Sequence, residues 1–261
     1  MTFLFEKKSY LGGLAREIAK LPAKDRINDF PDYLINRVNN LKNLIIFTGT
    51  EATVEAVSNL KPDVIINATG SVPLLPPITG LLDRIDKEDS KVRSIFGLIN
   101  EIENFKEMNV KGKKISVVGG GAVGLDVVEF FTEKGADVTI IERLPVIGRD
   151  LDVITKIQNM AMLKEKEVRA MTSTSLLEVK DSSFLVEVDG NNEDIDFDFG
   201  FVCLGMRGVA TLLPELQEHF KDTDVEIMNI GDSVRARRII EGTTEGRNLT
   251  IETLDRLGLF R

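Results

Sequence analysis

The sequence predicts an α/β chain made of two units with parallel sheets, and three observations predict it. First, residues 114–124 read Lys-Ile-Ser-Val-Val-Gly-Gly-Gly-Ala-Val-Gly, a glycine-rich turn between an apolar strand and a helical pattern. Second, Glu142 comes eighteen residues after Gly124 and closes the apolar run Val138–Ile141. Third, the chain repeats its own register. Gly70 follows Glu6 by 64 residues, and Gly205 follows Glu142 by 63. Gly12 follows Glu6 by six residues, as Gly148 follows Glu142. Each half has the layout of a Rossmann-like dinucleotide-binding unit. The glycine turn of the second half opens 23 residues before Glu142, so its counterpart in the first half falls ahead of Met1. The expectation is a first unit that lacks its opening strand, glycine loop and helix.

Element by element, Thr2–Glu6 suits a strand feeding a loop. Leu14–Val38 has helical periodicity interrupted by Pro22 and Pro31, which predicts two short helices. Leu44–Thr48 is a short apolar run, and Glu51–Asn59 suits a helix. Asp63–Ala68 is a continuous apolar run, the pattern of a parallel strand buried on both faces. Pro73, Pro76 and Pro77 make Ser71–Gly80 a non-helical crossing between domains. Ser94–Met108 predicts helix and Lys111-Gly112-Lys113 a turn. Residues 114–118, 122–134 and 137–142 then form a βαβ unit of the size that mononucleotide binding requires. Asp152–Lys166 predicts a helix. Leu176–Val179, Ser183–Val188 and Ile195–Phe197 predict a small antiparallel meander with a turn at Gly190-Asn191-Asn192. Phe199–Leu204 and Val225–Ile230 read as strands, and Ile239–Leu257 as helix broken by Gly242 and Gly246.

Composition removes several function classes. The chain of 261 residues is 43% hydrophobic and 29% charged, as in a soluble globular protein. No stretch approaches the ~18–20 apolar residues of a membrane span, and the N-terminus has no signal-peptide pattern. A cytoplasmic location is the default expectation. The net charge of −9 argues against binding along a nucleic-acid backbone. It does not argue against a dinucleotide, whose phosphates are held by backbone amides and a helix N-terminus. A single cysteine, Cys203, provides no redox or metal pair, which disfavours a disulfide reductase. Cys203 in an apolar run reads as core, and the lone His219 in a charged stretch reads as surface. No metal-ligand spacing or catalytic triad stands out, so redox chemistry would belong to cofactors.

The chemistry-bearing residues of the second half are Gly119, Gly121 and Gly124, with Ala122 and Val123 opening the helix. Gly119 permits the tight turn, Gly121 lets backbone approach the pyrophosphate, and Gly124 lets helix pack on strand. Glu142 is placed to accept hydrogen bonds from ribose hydroxyls, which favours NAD over NADP by repelling a 2′-phosphate. Arg143 competes with that reading, since it can pair with the same phosphate. In the first half, Glu6 holds the matching ribose position, with Gly12 and Gly13 beside it. Thr69 and Gly70 end a strand where open parallel sheets place ligands. Asp232, after Gly231, can accept hydrogen bonds from a polyol such as the ribitol of a flavin.

With those residues in place, the chain resembles the C-terminal flavin- and nicotinamide-binding part of the enoate reductase and 2,4-dienoyl-CoA reductase family. These are relatives of trimethylamine dehydrogenase with an Old Yellow Enzyme barrel in front. The marks are Phe5-Glu6 with Leu11-Gly12-Gly13, Lys61-Pro62-Asp63 to Ala68-Thr69-Gly70-Ser71, Val118-Gly119-Gly120-Gly121 to Gly124, and Ile230-Gly231-Asp232. The resemblance implies an FAD part at 1–90 plus 206–261, interrupted by an NAD(H) part at 91–205. It implies hydride transfer from NADH to FAD, then electron flow through an iron–sulfur cluster to FMN in an upstream barrel domain or subunit. Relative to that family the chain is truncated at its front. Two expectations follow: an NADH-binding, flavin-reducing module, or a nucleotide-binding remnant without FAD and without turnover. A sheet missing its middle strand also predicts weak FAD binding and self-association through open strand edges.

Overall fold

The computed structural model describes residues 1–259, so the last two positions of the 206–261 segment lie outside the described residues. In chain order the elements are β1 (Thr2–Glu6), α1 (Gly13–Ile18), α2 (Asp29–Val38), β2 (Leu44–Thr48), α3 (Val54–Asn59), β3 (Val64–Asn67) and β4 (Ser71–Pro73). There follow α4 (Leu81–Arg84), β5 (Val92–Arg93), α5 (Ile95–Asn100), α6 (Ile102–Glu107), β6 (Lys114–Val118), α7 (Ala122–Glu133), β7 (Asp137–Ile141) and α8 (Val153–Glu165). The rest are β8 (Arg169–Met171), β9 (Thr174–Val179), β10 (Ser183–Val188), β11 (Asn191–Asp196), β12 (Phe199–Val202), β13 (Met206–Gly208), α9 (Leu213–His219), β14 (Glu226–Asn229) and α10 (Ile239–Arg256). Two compact units result. One holds Met1–Ala19, Ala23–Val72 and Met206–Arg261; the other holds Lys20–Pro22 and Pro73–Gly205. Residues 73–90, placed with the first part by the sequence reading, therefore pack with the second unit.

The second unit is built on a five-stranded sheet of order β5-β12-β6-β7-β8, parallel throughout. The glycine-turn strand β6 sits in its middle. Ile115, Val117 and Val118 are all buried, so both faces of β6 are covered, as a continuous apolar run requires. On one face Phe105 of α6 meets Phe131 of α7 and Phe201 of β12 edge-on, at ring separations of 5.6 and 5.9 Å. On the other, Val118, Ile141 and Val202 pack with Phe184, Val186 and Ile195 of the antiparallel meander β11-β10-β9. Its third strand starts at Asn191, not Ile195, because Asp189 and Gly190 alone take the left-handed turn. Ser94 and Asp152 cap α5 and α8, each accepting two backbone N–H bonds.

The first unit has parallel strands in two separate ladders. β1 pairs with β2, and β3 pairs with β14. Leu216 of α9 and Phe220 just after it bury Ile65 of β3, with Val54 and Val57 of α3 alongside. The opposite face of β3 is open, and Ile66 is 40% exposed, so the expectation of burial on both faces is corrected. Ile45 and Phe47 of β2 are 41% and 37% exposed in the same way. α10 runs unbroken through Gly242 and Gly246, against the expected breaks. Gly242 packs beside Gly231: a Cβ on either would meet the other's Cα at 3.9 Å, an ordinary contact. Among the described residues no helix is long and apolar enough to cross a membrane. The architecture is a mixed α/β fold with parallel sheets of the Rossmann-like kind.

Candidate functional site

The glycine turn of the second unit is set by close packing at both of its ends. Gly119 has φ +111°, a conformation open to glycine, and its N–H donates to the Ile141 carbonyl at 2.8 Å. A Cβ on Gly119 would run into the Cys203 carbonyl, and one on Gly124 would overlap the Gly119 carbonyl oxygen. These two glycines thus let β6, β12 and α7 meet backbone to backbone. Gly121 is the N-cap of α7 and is extended, with φ −81° and ψ −177°. Ala122 and Val123 open the helix behind it. The unpaired N–H groups of this first turn, together with the helix dipole, suit a phosphate.

Glu142 stands where β7 ends. Its Oε2 accepts the Gly120 N–H at 2.6 Å and its Oε1 accepts the Leu144 N–H at 2.7 Å. This pinning was not readable from spacing. A carboxylate offers about four acceptor positions, so two remain for ribose hydroxyls. Arg143 is exposed beside it. The segment after Glu142 then folds back on the turn: the Gly148 N–H donates to the Gly120 carbonyl at 2.7 Å, and Ile147 is buried against Gly120. The glycine cradle, the helix N-terminus and the strand-end acid are all present, and the donor set fits a dinucleotide.

The first unit divides its candidate residues between its two ladders. Glu6 ends β1, where its Oε1 accepts the Lys8 N–H at 2.8 Å. Gly12, the N-cap of α1, and Gly13 both have positive φ, 112° and 51°. Thr69 and Gly70 follow β3. The Thr69 hydroxyl donates to the Val209 carbonyl, and the Val209 N–H returns a bond to the Gly70 carbonyl at 2.8 Å. Gly231 and Asp232 follow β14. The Asp232 carboxylate accepts the Ser71 hydroxyl at 3.3 Å and the Arg237 N–H at 3.0 Å. The structure thus gathers Ser71 and Gly231-Asp232 at the C-terminal ends of β3 and β14.

Glu245, Arg237, Asn229 and Ser233, further polar residues there, were not singled out from the sequence. The Gly231 N–H donates to Glu245 Oε2 at 2.8 Å. That bond first, and then the Arg237 guanidinium, hold the Glu245 carboxyl below the usual range. The Asn67 amide donates to Asn229 Oδ1 at 2.7 Å, and the Ser233 hydroxyl donates to the same oxygen. Neighbouring positions on paired strands are the only signal that links Asn67 to Asn229. Glu6 and Asp232, the acids expected to meet ribose and ribitol, thus stand on different ladders, Glu6 at the end of β1 and Asp232 after β14. Among the described residues of this unit no glycine turn opens a long helix to hold a pyrophosphate.

Cys203 is buried at the end of β12, and burial, helped by Asp126 and Asp86, pushes its thiol up to about 12. A thiolate is the reactive form, so this is a packing residue. His219 is exposed, its Nε2 3.0 Å from the Ser58 hydroxyl.

Comparison with known proteins agrees with this geometry. The chain is 28% identical over 244 residues to an NADH oxidase of Thermoanaerobacter brockii, which covers 93% of this chain and 36% of that protein. The fold is shared with a 2-naphthoyl-CoA reductase complex (TM-score 0.76, 24% identity, 94% of this chain and 35% of that one). It is also shared with a histamine dehydrogenase from Rhizobium sp. 4-9 (TM-score 0.77, 17% identity, 96% and 40%). The chain therefore spans little more than a third of the length of these relatives. The family pattern of pyridine nucleotide-disulphide oxidoreductases matches residues 23–232. This chain belongs to the pyridine nucleotide-disulphide oxidoreductase family, with FAD and NAD(H) as its cofactors.

Proposed function

We propose that the chain is the NADH-binding, flavin-reducing part of an enoate-reductase-like flavoprotein oxidoreductase. The second unit, Pro73–Gly205 in place of the expected 91–205, takes NADH; the first unit, built from the stretches before Pro73 and after Gly205, supplies the FAD side. The observation that carries this reading is the second unit's cradle. Gly119 and Gly124 bring three elements together at backbone distance, Gly121 opens the N-terminus of α7, and Glu142 is held beside them. When bound, NADH supplies hydride and FAD accepts it. The chain's own part is to hold and orient: amides of the α7 first turn on the pyrophosphate, Glu142 on the adenosine ribose, Asp232 on a polyol. An upstream barrel domain or subunit carrying FMN and an iron–sulfur cluster would take the electrons onward. The relatives, which are nearly three times as long over the same match, leave room for such a partner.

NADH is expected to bind more tightly than NADPH. Glu142→Ala should narrow that preference about tenfold, since a carboxylate near a 2′-phosphate costs on the order of 1 kcal/mol in water. Paired titrations of both nucleotides against both proteins measure it. Tighter NADPH binding by the unaltered chain would transfer the selectivity to Arg143.

The split sheet of the first unit favours a second reading, a nucleotide-binding module without turnover. In that case the 261-residue polypeptide holds FAD weakly and associates with itself through the open edges of its two ladders. Absorbance in the flavin band after purification and after soaking with FAD separates the two. A stoichiometric, tightly held flavin would eliminate the remnant.

A further inference from the structure

We infer that Asp150 is an anionic plug at the pyrophosphate position, and that it sets the affinity of the second unit for dinucleotides. The inference rests on the reading of that unit as the NADH site. Its basis is the strap between Glu142 and α8. The strap is fixed to the glycine turn at Gly148, whose N–H donates to the Gly120 carbonyl, and at Ile147, which is 4% exposed. Its far end is fixed by Asp152, the cap of α8. Between those anchors Asp150 is exposed, and its carboxylate lies over Gly121. Oδ2 is 3.3 Å and Oδ1 3.6 Å from the point a Cβ on Gly121 would occupy.

That point is where phosphate must come close to backbone, the reason a glycine is needed there. The first turn of α7 has no acid of its own. Asp150 is therefore the negative group brought to this helix N-terminus, where a carboxylate is favoured by the same dipole that favours phosphate. The two cannot share the place. An incoming pyrophosphate must displace the carboxylate and then bind next to a like charge. Because Asp150 is exposed while Ile147 and Gly148 are held, its side chain can swing away without moving the strap.

The test is titration of the full chain with NADH, NADPH and inorganic pyrophosphate, in the unaltered protein, D150N and D150E. D150N should bind all three about fivefold to tenfold more tightly, the effect of removing one partly screened charge. The ratio of NADH to NADPH affinity should not move, because the pyrophosphate is common to both. D150E keeps the charge and should stay close to the unaltered protein. The gain should shrink in about 0.5 M salt. Equal or weaker binding by D150N overturns the inference. If no protein binds NADH, the reading of the site fails instead, and the pyrophosphate arm still decides the role of Asp150.

Discussion

Gly121→Val is expected to lower NADH affinity at least about 100-fold, about 2.7 kcal/mol, while the second unit stays folded. The backbone of Gly121 is extended, so valine can adopt it without strain. The nearest neighbour of its new Cβ is the exposed Asp150 carboxylate at 3.3 Å, which can turn aside. Nothing in the fold then resists the substitution, but the pyrophosphate meets two methyl groups where it needs backbone amides. Calorimetric titration gives the affinity, and a thermal melt of the same sample verifies the fold. Equal affinities in the two proteins would remove the pyrophosphate from this turn.

Gly124→Val should do the opposite and act on stability first. Even the Cβ overlaps the Gly119 carbonyl oxygen. Gly119 cannot yield, since its N–H is bonded to Ile141 and its open side faces the Cys203 carbonyl. The only relief is to lift α7 from β6, which opens the packing of Phe131 against Phe105 and Phe201. A loss of about 3 kcal/mol or more is expected, at the upper end for overpacked cores. Chemical denaturation followed by circular dichroism measures it, with Gly121→Val as the control from the same turn. Unchanged stability in Gly124→Val would mean that the close approach of α7 to β6 is not what holds this unit together.

The contrast between these glycines marks what could be read in advance. The turn and packing roles of Gly119 and Gly124 follow from a local strand–turn–helix pattern, and the structure places β6, α7 and β7 where that pattern puts them. Glu142 was legible as the acid that ends a strand. Its bonds to Gly120 and Leu144 were not, because they depend on how the chain turns after β7. Asp150 was illegible for the same reason: its approach to Gly121 is made by a strap whose path is set by Ile147 and Gly148. Gly242 and Gly246 suggested helix breaks because glycine in a helix interior costs about 1 kcal/mol relative to alanine. In α10 that cost is outweighed by tertiary contacts: Gly242 next to Gly231, Glu245 on the Gly231 N–H, and Arg256 paired with Glu226. The short strands β5, β8 and β13 were missed because two or three residues carry no periodicity to detect.

The pairing of β3 with β14 also bears on how the polypeptide acquires its structure. Val64 aligns with Glu226, and Asn67 with Asn229, so this ladder cannot form during synthesis until nearly the whole chain has emerged. The intervening unit is continuous apart from Lys20–Pro22, and its two ends meet: the Leu74 N–H donates to the Gly205 carbonyl at 2.9 Å. Once it is folded, the span between β3 and β14 acts as a closure of about 28 residues instead of about 160. At about 0.6 kcal/mol per doubling, that nearly sixfold contraction recovers roughly 1.5 kcal/mol of chain entropy. The second unit thus serves as an intramolecular clamp for its host, and a lesion such as Gly124→Val would slow maturation of strands it never touches.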